Sequence, residues 1–162
     1  MSGFFRDNKW LWIMLACATF YMLLCWLIFK IPAHAAGDMQ TEEEIAEEEY
    51  WDSLELLAIC VEAEAGNQGL EGKRLVVDVI LNRVEDPAFP DTIPEVISQP
   101  YHFSSFWDGG MDRVSISEET FEAVRLELEN RSYPGVLYFT AGRYSEYGTP
   151  WKKVGDHYFS TK

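Results

Sequence analysis

Three cysteines and three histidines are all that this 162-residue chain offers to a disulfide or a soft metal. Cys17 and Cys25 fall in one apolar run, so Cys60 stands alone in the remainder and no disulfide can form within it. No two cysteines have zinc-finger spacing, and His34, His102 and His157 form neither H-x-x-x-H nor a Cys/His pair. There is no G-x-S-x-G. A bound metal or other cofactor is therefore not expected, and neither is serine-elbow or thiol chemistry. Basic residues are scarce as well: 13 Lys and Arg face 27 Asp and Glu, for a formal net charge of −14. Phosphate backbones need a basic surface, so nucleic acid is excluded as a partner.

Charge is missing altogether from Trp10 to Phe29, "WLWIMLACATFYMLLCWLIF". About 20 apolar residues suffice for a helix to cross a bilayer. Trp10, Trp12 and Trp26 lie near the ends of the run, as interfacial aromatics do, and Arg6, Lys9 and Lys30 flank it. The acidic remainder is then expected outside, in a single-pass arrangement. The alternative is secretion, because "AHAA" at Ala33 to Ala36 offers signal-peptidase cleavage after Ala35. The chain divides into residues 1–9 as a cytoplasmic N-terminus, 10–31 as transmembrane anchor or signal peptide, 32–50 as acidic linker and helix start, and 51–162 as the folded domain. A monomer is the expected state.

Within the exported part, Thr41 and Glu44 form a capping box, and a helix runs on from there. From Trp51 it is amphipathic: Leu54, Leu57, Val61 and Glu64 share one face, while Glu55 and Glu62 continue a polar stripe. Gly66 and Asn67 are expected to end it in a left-handed cap. A second helix, apolar almost all round, spans Leu70 to Val84. A short helix follows Thr92 or Ile93, with Pro94 in its first turn. Tyr101 to Ser115 has no period and reads as a long aromatic surface loop. Ser117 caps a third helix, whose core face is predicted as Phe121, Val124 and Leu128. Val136 to Thr140 and His157 to Thr161 read as strands, with a shorter one near Trp151 to Val154. The fold class is α+β, mainly helical with a small antiparallel sheet.

Glu64 is the residue on which chemistry is expected. A carboxyl at the end of a buried stripe is partly desolvated, which favours its protonated form and suits a general acid. The pattern alone fits equally a helix-end Glu that merely reaches solvent. Glu62, on the polar stripe, is expected to matter little. Tyr101, Phe103, Phe106 and Trp107 cluster in the long loop, and Tyr138 and Trp151 lie in the tail, all flat rings able to cover a ligand face.

The stretch "EAGNQGLEGKRLVVDVILNRV" from Glu64 resembles the signature of the SleB/CwlJ-type cell-wall hydrolases, the spore cortex-lytic family. "FPDTIPEVISQP" from Phe89, "FS" at Phe103-Ser104, "LYF" from Leu137 and "GDHYF" from Gly155 follow in the same order. The resemblance covers roughly residues 54–162. It implies a lysozyme-like catalytic domain that acts on peptidoglycan glycan strands in spore cortex or wall. Glu64 would be the catalytic acid, and a lytic transglycosylase outcome is expected. Gln68, Asn82, Phe103, Ser104, Tyr138, Trp151 and His157 are the candidate substrate contacts. One departure stands out: many members carry an acid four residues after the catalytic Glu, where this chain has Gln68. A hydrolase using a second carboxylate (Asp78, Asp108, Asp112 or Asp156) is the rival within enzymes, and a non-catalytic wall-binding domain the rival outside them. Arg83, Arg143, Lys152 or Lys153 would make the cleft locally basic.

Overall fold

The computed structural model describes residues 19–23 and 41–162, and the chain separates into two units, residues 1–44 and 45–162. In the first unit residues 19–23 are helical. Thr41 N donates to Glu44 Oε2 (2.8 Å) and Glu44 N to Thr41 Oγ1 (3.2 Å), the reciprocal box that the sequence predicts. The rest of the apolar run, its flanking charges and the cleavage motif at 33–36 lie outside the described residues. Among the described residues no helix is long and apolar enough to cross a membrane.

Helix α1 (Glu42–Ala65) starts at this cap, and its second half buries Leu57, Ala58, Cys60, Val61 and Ala65. It does not end in the left-handed region, because neither Gly66 nor Asn67 has a positive φ. Glycine is needed at 66 for closeness instead: a Cβ there would lie 2.5 Å from the Glu62 carbonyl oxygen. The turn is closed by Gln68 N donating to the Ala65 carbonyl (2.9 Å). The chain then restarts as α2 (Leu70–Glu85), buried continuously from Leu75 to Arg83. Each Leu, Val and Ile side chain from Leu75 to Leu81 contributes about 1.5–3 kcal/mol by leaving water. This central helix packs on the later helix and on the first strand.

Helix α3 (Ile93–Ile97) has Thr92 as its N-cap, the earlier of the two expected starts. The stretch expected to be irregular holds one turn of helix, α4 (Ser104–Trp107), and a 3-10 turn at Met111–Arg113. Four residues are too few to show a period in the sequence. Helix α5 (Glu118–Glu129) has Ser117 as its N-cap, accepting from Thr120 N. Its buried face is Thr120, Ala123, Val124 and Glu127, whereas Phe121 and Leu128 are exposed. The predicted core face is thus turned by part of a helical turn. Phe121 and Leu128 line an apolar groove of about 600 Å³ shared with Trp51 and Leu54 of α1.

Three antiparallel strands complete the fold: β1 (Val136–Ala141), β2 (Thr149–Val154) and β3 (His157–Thr161). Their order is β1-β3-β2. β2 and β3 join through the two-residue turn Gly155-Asp156, where Gly155 takes φ +56°. Phe139 faces Phe159 across the β1–β3 ladder, and His157 lies two residues away on the same face. Each ladder carries one register shift, between Val136 and Tyr138 and between Pro150 and Lys152.

Candidate active site

Glu64 lies in the last turn of α1, half-buried. Its Oε1 accepts from the Ser105 hydroxyl (2.6 Å) and from Ser105 N (3.2 Å), in the first turn of α4. Its Oε2 takes no hydrogen bond from the described residues and is not among the buried unpartnered atoms. One oxygen is therefore clamped, and the other is not.

His157 faces the same region from β3. It is buried against Phe139 (ring centroids 5.2 Å) and Phe159 (6.0 Å). Burial lowers its pKa below the usual histidine value; the charges of Glu64 and Asp156 oppose this without cancelling it. The ring is consequently neutral near pH 7, and its buried Nδ1 has no hydrogen-bond partner among the described residues. A buried polar atom without a partner is costly, so a group that supplies one gains accordingly. The α1–α2 joint brings Glu64 to this place by ending α1 at Ala65.

Several expected substrate contacts have other work. Gln68 is buried and ties the joint to the β2–β3 turn: its Oε1 accepts from Asp156 N (3.0 Å), and its Nε2 donates to Asn67 Oδ1 (2.8 Å) and approaches Asp156 Oδ2 (3.5 Å). Asn82 is buried too. Its Nδ2 donates to the carbonyls of Tyr133 and Val136 (2.9 Å each), and its Oδ1 accepts from Arg131. Phe103 is a core ring, wholly buried beside Phe139. Trp151 sits at the β2 register shift and packs on Tyr133 (5.5 Å) in the α5–β1 turn. Tyr138 packs between Phe89 (6.3 Å) and Tyr147 (6.1 Å), and strand alternation puts it on the opposite face from Phe139. Of the predicted contacts, only Ser104, exposed beside Ser105, and His157 stand with Glu64.

Glu62 differs from its expected role. Its Oε2 accepts from Ser117 N (3.1 Å), Ser117 Oγ (2.8 Å) and the Thr120 hydroxyl, with Lys73 Nζ at 3.9 Å. Burial would raise its pKa, but the bonds from Thr120 and Ser117 and the charge of Lys73 outweigh it and hold the carboxyl below its usual value. The side chain is 13% exposed. The polar stripe of α1 is therefore not simply solvated, since Glu62 binds the start of α5.

Asp78, one of the second-carboxylate candidates, is fully buried. It accepts from Arg131 Nε (3.2 Å) and Tyr133 N (3.1 Å) and lies against buried Glu127. Burial and the neighbouring carboxyl push its pKa up to about 7. It serves the α5–β1 turn, not a cleft. Arg83 is likewise interior: Nε donates to the Leu137 carbonyl (2.8 Å), and the guanidinium lies over Phe89, Phe103 and Tyr138. Burial pushes its pKa down to about 10. Lys152 pairs with Glu71. Cys60 is a buried free thiol in the core, its pKa pushed up by burial and by the Glu64 charge. The residue that sequence reasoning missed is Ser105; the only signal was its place beside the "FS" pair.

Residues 67–160 match the family described as cell wall hydrolase; Glu64 lies just ahead of that span. The spore cortex-lytic enzyme of Halalkalibacterium halodurans is 30% identical over 115 residues, covering 67% of this chain and 34% of the relative. That of Bacillus subtilis is 32% identical over 117 residues, covering 67% and 37%. The chain thus spans well under half the length of these curated relatives. Among solved structures, the catalytic domain of the germination-specific lytic transglycosylase SleB from Bacillus anthracis superposes with a TM-score of 0.58 at 27% identity, covering 67% of this chain and 93% of that one. The catalytic domain of the Bacillus cereus SleB protein gives 0.60 at 28%, covering 68% and 91%.

Proposed function

The chain belongs to the cell wall hydrolase family, and on that premise we propose that it cuts peptidoglycan glycan strands as a lytic transglycosylase, with Glu64 as both acid and base. The observation that carries this reading is the Glu64 carboxyl, clamped through Oε1 by Ser105 and open at Oε2, beside a neutral His157.

The bond broken joins C1 of N-acetylmuramic acid to O4 of N-acetylglucosamine. Protonated Glu64 gives its proton to the glycosidic oxygen as the C1–O4 bond breaks, and the glucosamine end leaves as an alcohol. Positive charge develops at C1. Glu64, now a carboxylate, takes the proton of the muramoyl 6-hydroxyl while O6 bonds to C1. The product is a 1,6-anhydro ring, no water is consumed, and Glu64 ends protonated as it began. Ser105 fixes the carboxyl rotamer. His157, buried against Phe139 and Phe159, supports the site as a neutral ring. Such a strand lies outside the cytoplasmic membrane, so the proposal carries an exported domain with it, held by the run 10–29 or released after Ala35.

A second reading has one specific support. Asp156 is exposed and adjoins His157, where its charge is felt together with that of Glu64. With Asp156 activating water, the same site would hydrolyse the bond. Digestion of purified sacculi followed by mass analysis separates the two: anhydro ends are one water lighter than reducing ends. The transglycosylase reading expects anhydro ends and none from Glu64→Gln. Wild-type activity in Glu64→Gln would overturn the assignment, and no release by the wild type would favour a wall-binding role.

A further inference from the structure

Helix α4 has a second side. Ser105 holds Glu64, while its neighbour Ser104 forms part of the wall of a separate cavity of about 570 Å³, completed by Pro100, Tyr101, Trp107 and Asp108. That volume lies in the range of small-molecule sites, about 300–1,000 Å³. Two aromatic rings in it face solvent: Trp107 is 59% exposed and Tyr101 entirely so. Phe106 meets Trp107 edge-on (5.3 Å, 76°), which fixes the indole plane. Tyr101 is the one non-glycine among the described residues with a positive φ, +70°. A bulky residue held in that conformation with no burial in return is the kind of strain that accompanies binding sites. Asp108 Oδ1 accepts from Gly110 N (2.7 Å) and faces Arg113 Nη2 (3.7 Å), while its Oδ2 takes no bond from the described residues.

We propose that this cavity is a sugar subsite next to Glu64, in which one N-acetylated pyranose of the strand lays its C–H face on Trp107. Tyr101 forms the facing wall, and Asp108 Oδ2 accepts a hydrogen bond from a ring hydroxyl. A flat apolar platform with an acceptor at its rim matches a pyranose, which is apolar on its faces and carries donors around its edge. Continuity argues for the same strand, because the backbone that clamps the reacting carboxyl continues directly into the cavity wall. The proposal rests on the glycan-cleavage reading for its ligand.

The test uses the full chain carrying Glu64→Gln, titrated calorimetrically with soluble N-acetylglucosamine tetramer and with peptide-free glycan strands. Adding Trp107→Ala is expected to weaken binding about tenfold or more, the loss typical of truncating a central aromatic anchor. Trp107→Phe should retain most of the affinity. Tyr101→Gly should weaken binding several-fold while the melting temperature holds or rises, because glycine takes φ +70° without strain. With Glu64 intact, Trp107→Ala should raise KM and leave kcat within about twofold. The subsite is overturned if the parent binds neither glycan, if both substitutions leave affinity and KM within about twofold, or if Tyr101→Gly melts earlier at unchanged affinity. Its failure is separable from that of the cleavage reading. A wild type that releases nothing while the Glu64→Gln chain binds through Trp107 sinks the cleavage reading alone. A wild type that cuts normally with a neutral Trp107→Ala sinks the subsite alone.

Discussion

Glu62 and Glu64 are two residues apart on α1 and have opposite kinds of surroundings. Glu64 has one oxygen held and one open; Glu62 gives a single oxygen to three donors at the start of α5. Glu64→Gln should abolish muropeptide release and shift stability by no more than about 1 kcal/mol. Glu62→Gln should do the reverse, costing about 1–3 kcal/mol of stability, because hydrogen bonds to a charged acceptor are among the stronger ones. Its pH signature follows from the lowered pKa. A carboxyl depressed below its ordinary 4.5 stabilises the fold above that pH and loses the contribution as pH falls through the folded value. Denaturation of wild type and Glu62→Gln should therefore differ at pH 7 and converge in acid below about pH 4.5; a gap that persists there would mean that the carboxylate is not the cause. Helical phase separated the two acids correctly in the sequence. It carried no sign that Glu62 meets Ser117, 55 residues later.

The joint between α1 and α2 and the β2–β3 turn are one mechanical unit, connected by Gln68. Gly155 makes room for that amide, since a Cβ there would lie 1.9 Å from Gln68 Oε1. Gly155→Ala should thus lower the melting temperature and, by displacing the neighbouring His157, lower kcat as well; unchanged values of both would show that the contact is dispensable. Gln68→Glu, which puts an acid where the family resemblance leads one to expect it, should not add activity. It would set a carboxylate against Asp156 and destabilise the turn at neutral pH, with recovery in acid. The helices were legible because the second half of α1 has a periodic apolar face, α2 is apolar almost all round, and the caps Thr41 and Ser117 are local signals. α4 was not legible at four residues, and α5 was misphased because Phe121 and Leu128 line a groove instead of the core. Gln68, Asn82 and Trp151 look like site residues in the sequence. Their partners lie far along the chain, and no local pattern reveals such pairings.

The molecule as a whole carries a formal net charge of −14, yet its most consequential acids are interior. Asp78 and Glu127 are both fully buried and adjoin one another between α2 and α5. Asp78 has its pKa raised from an ordinary 3.8 to about 7, so the folded state keeps a proton that the unfolded chain gives up. That stability is fully present below about pH 4 and is lost as pH rises through 7. Chemical denaturation across this window should show it falling, and Asp78→Asn should flatten the curve; an unchanged slope would place the proton elsewhere. The sheet order β1-β3-β2 has a consequence in time. β3 is made last of the three strands yet lies in the middle, and it brings His157 to Glu64. During synthesis β1 and β2 emerge with no ladder to join, so the candidate site lacks His157 until residues 157–161 have been added. On the proposed reading, a chain built this way stays unfinished at its candidate site for as long as it is being made.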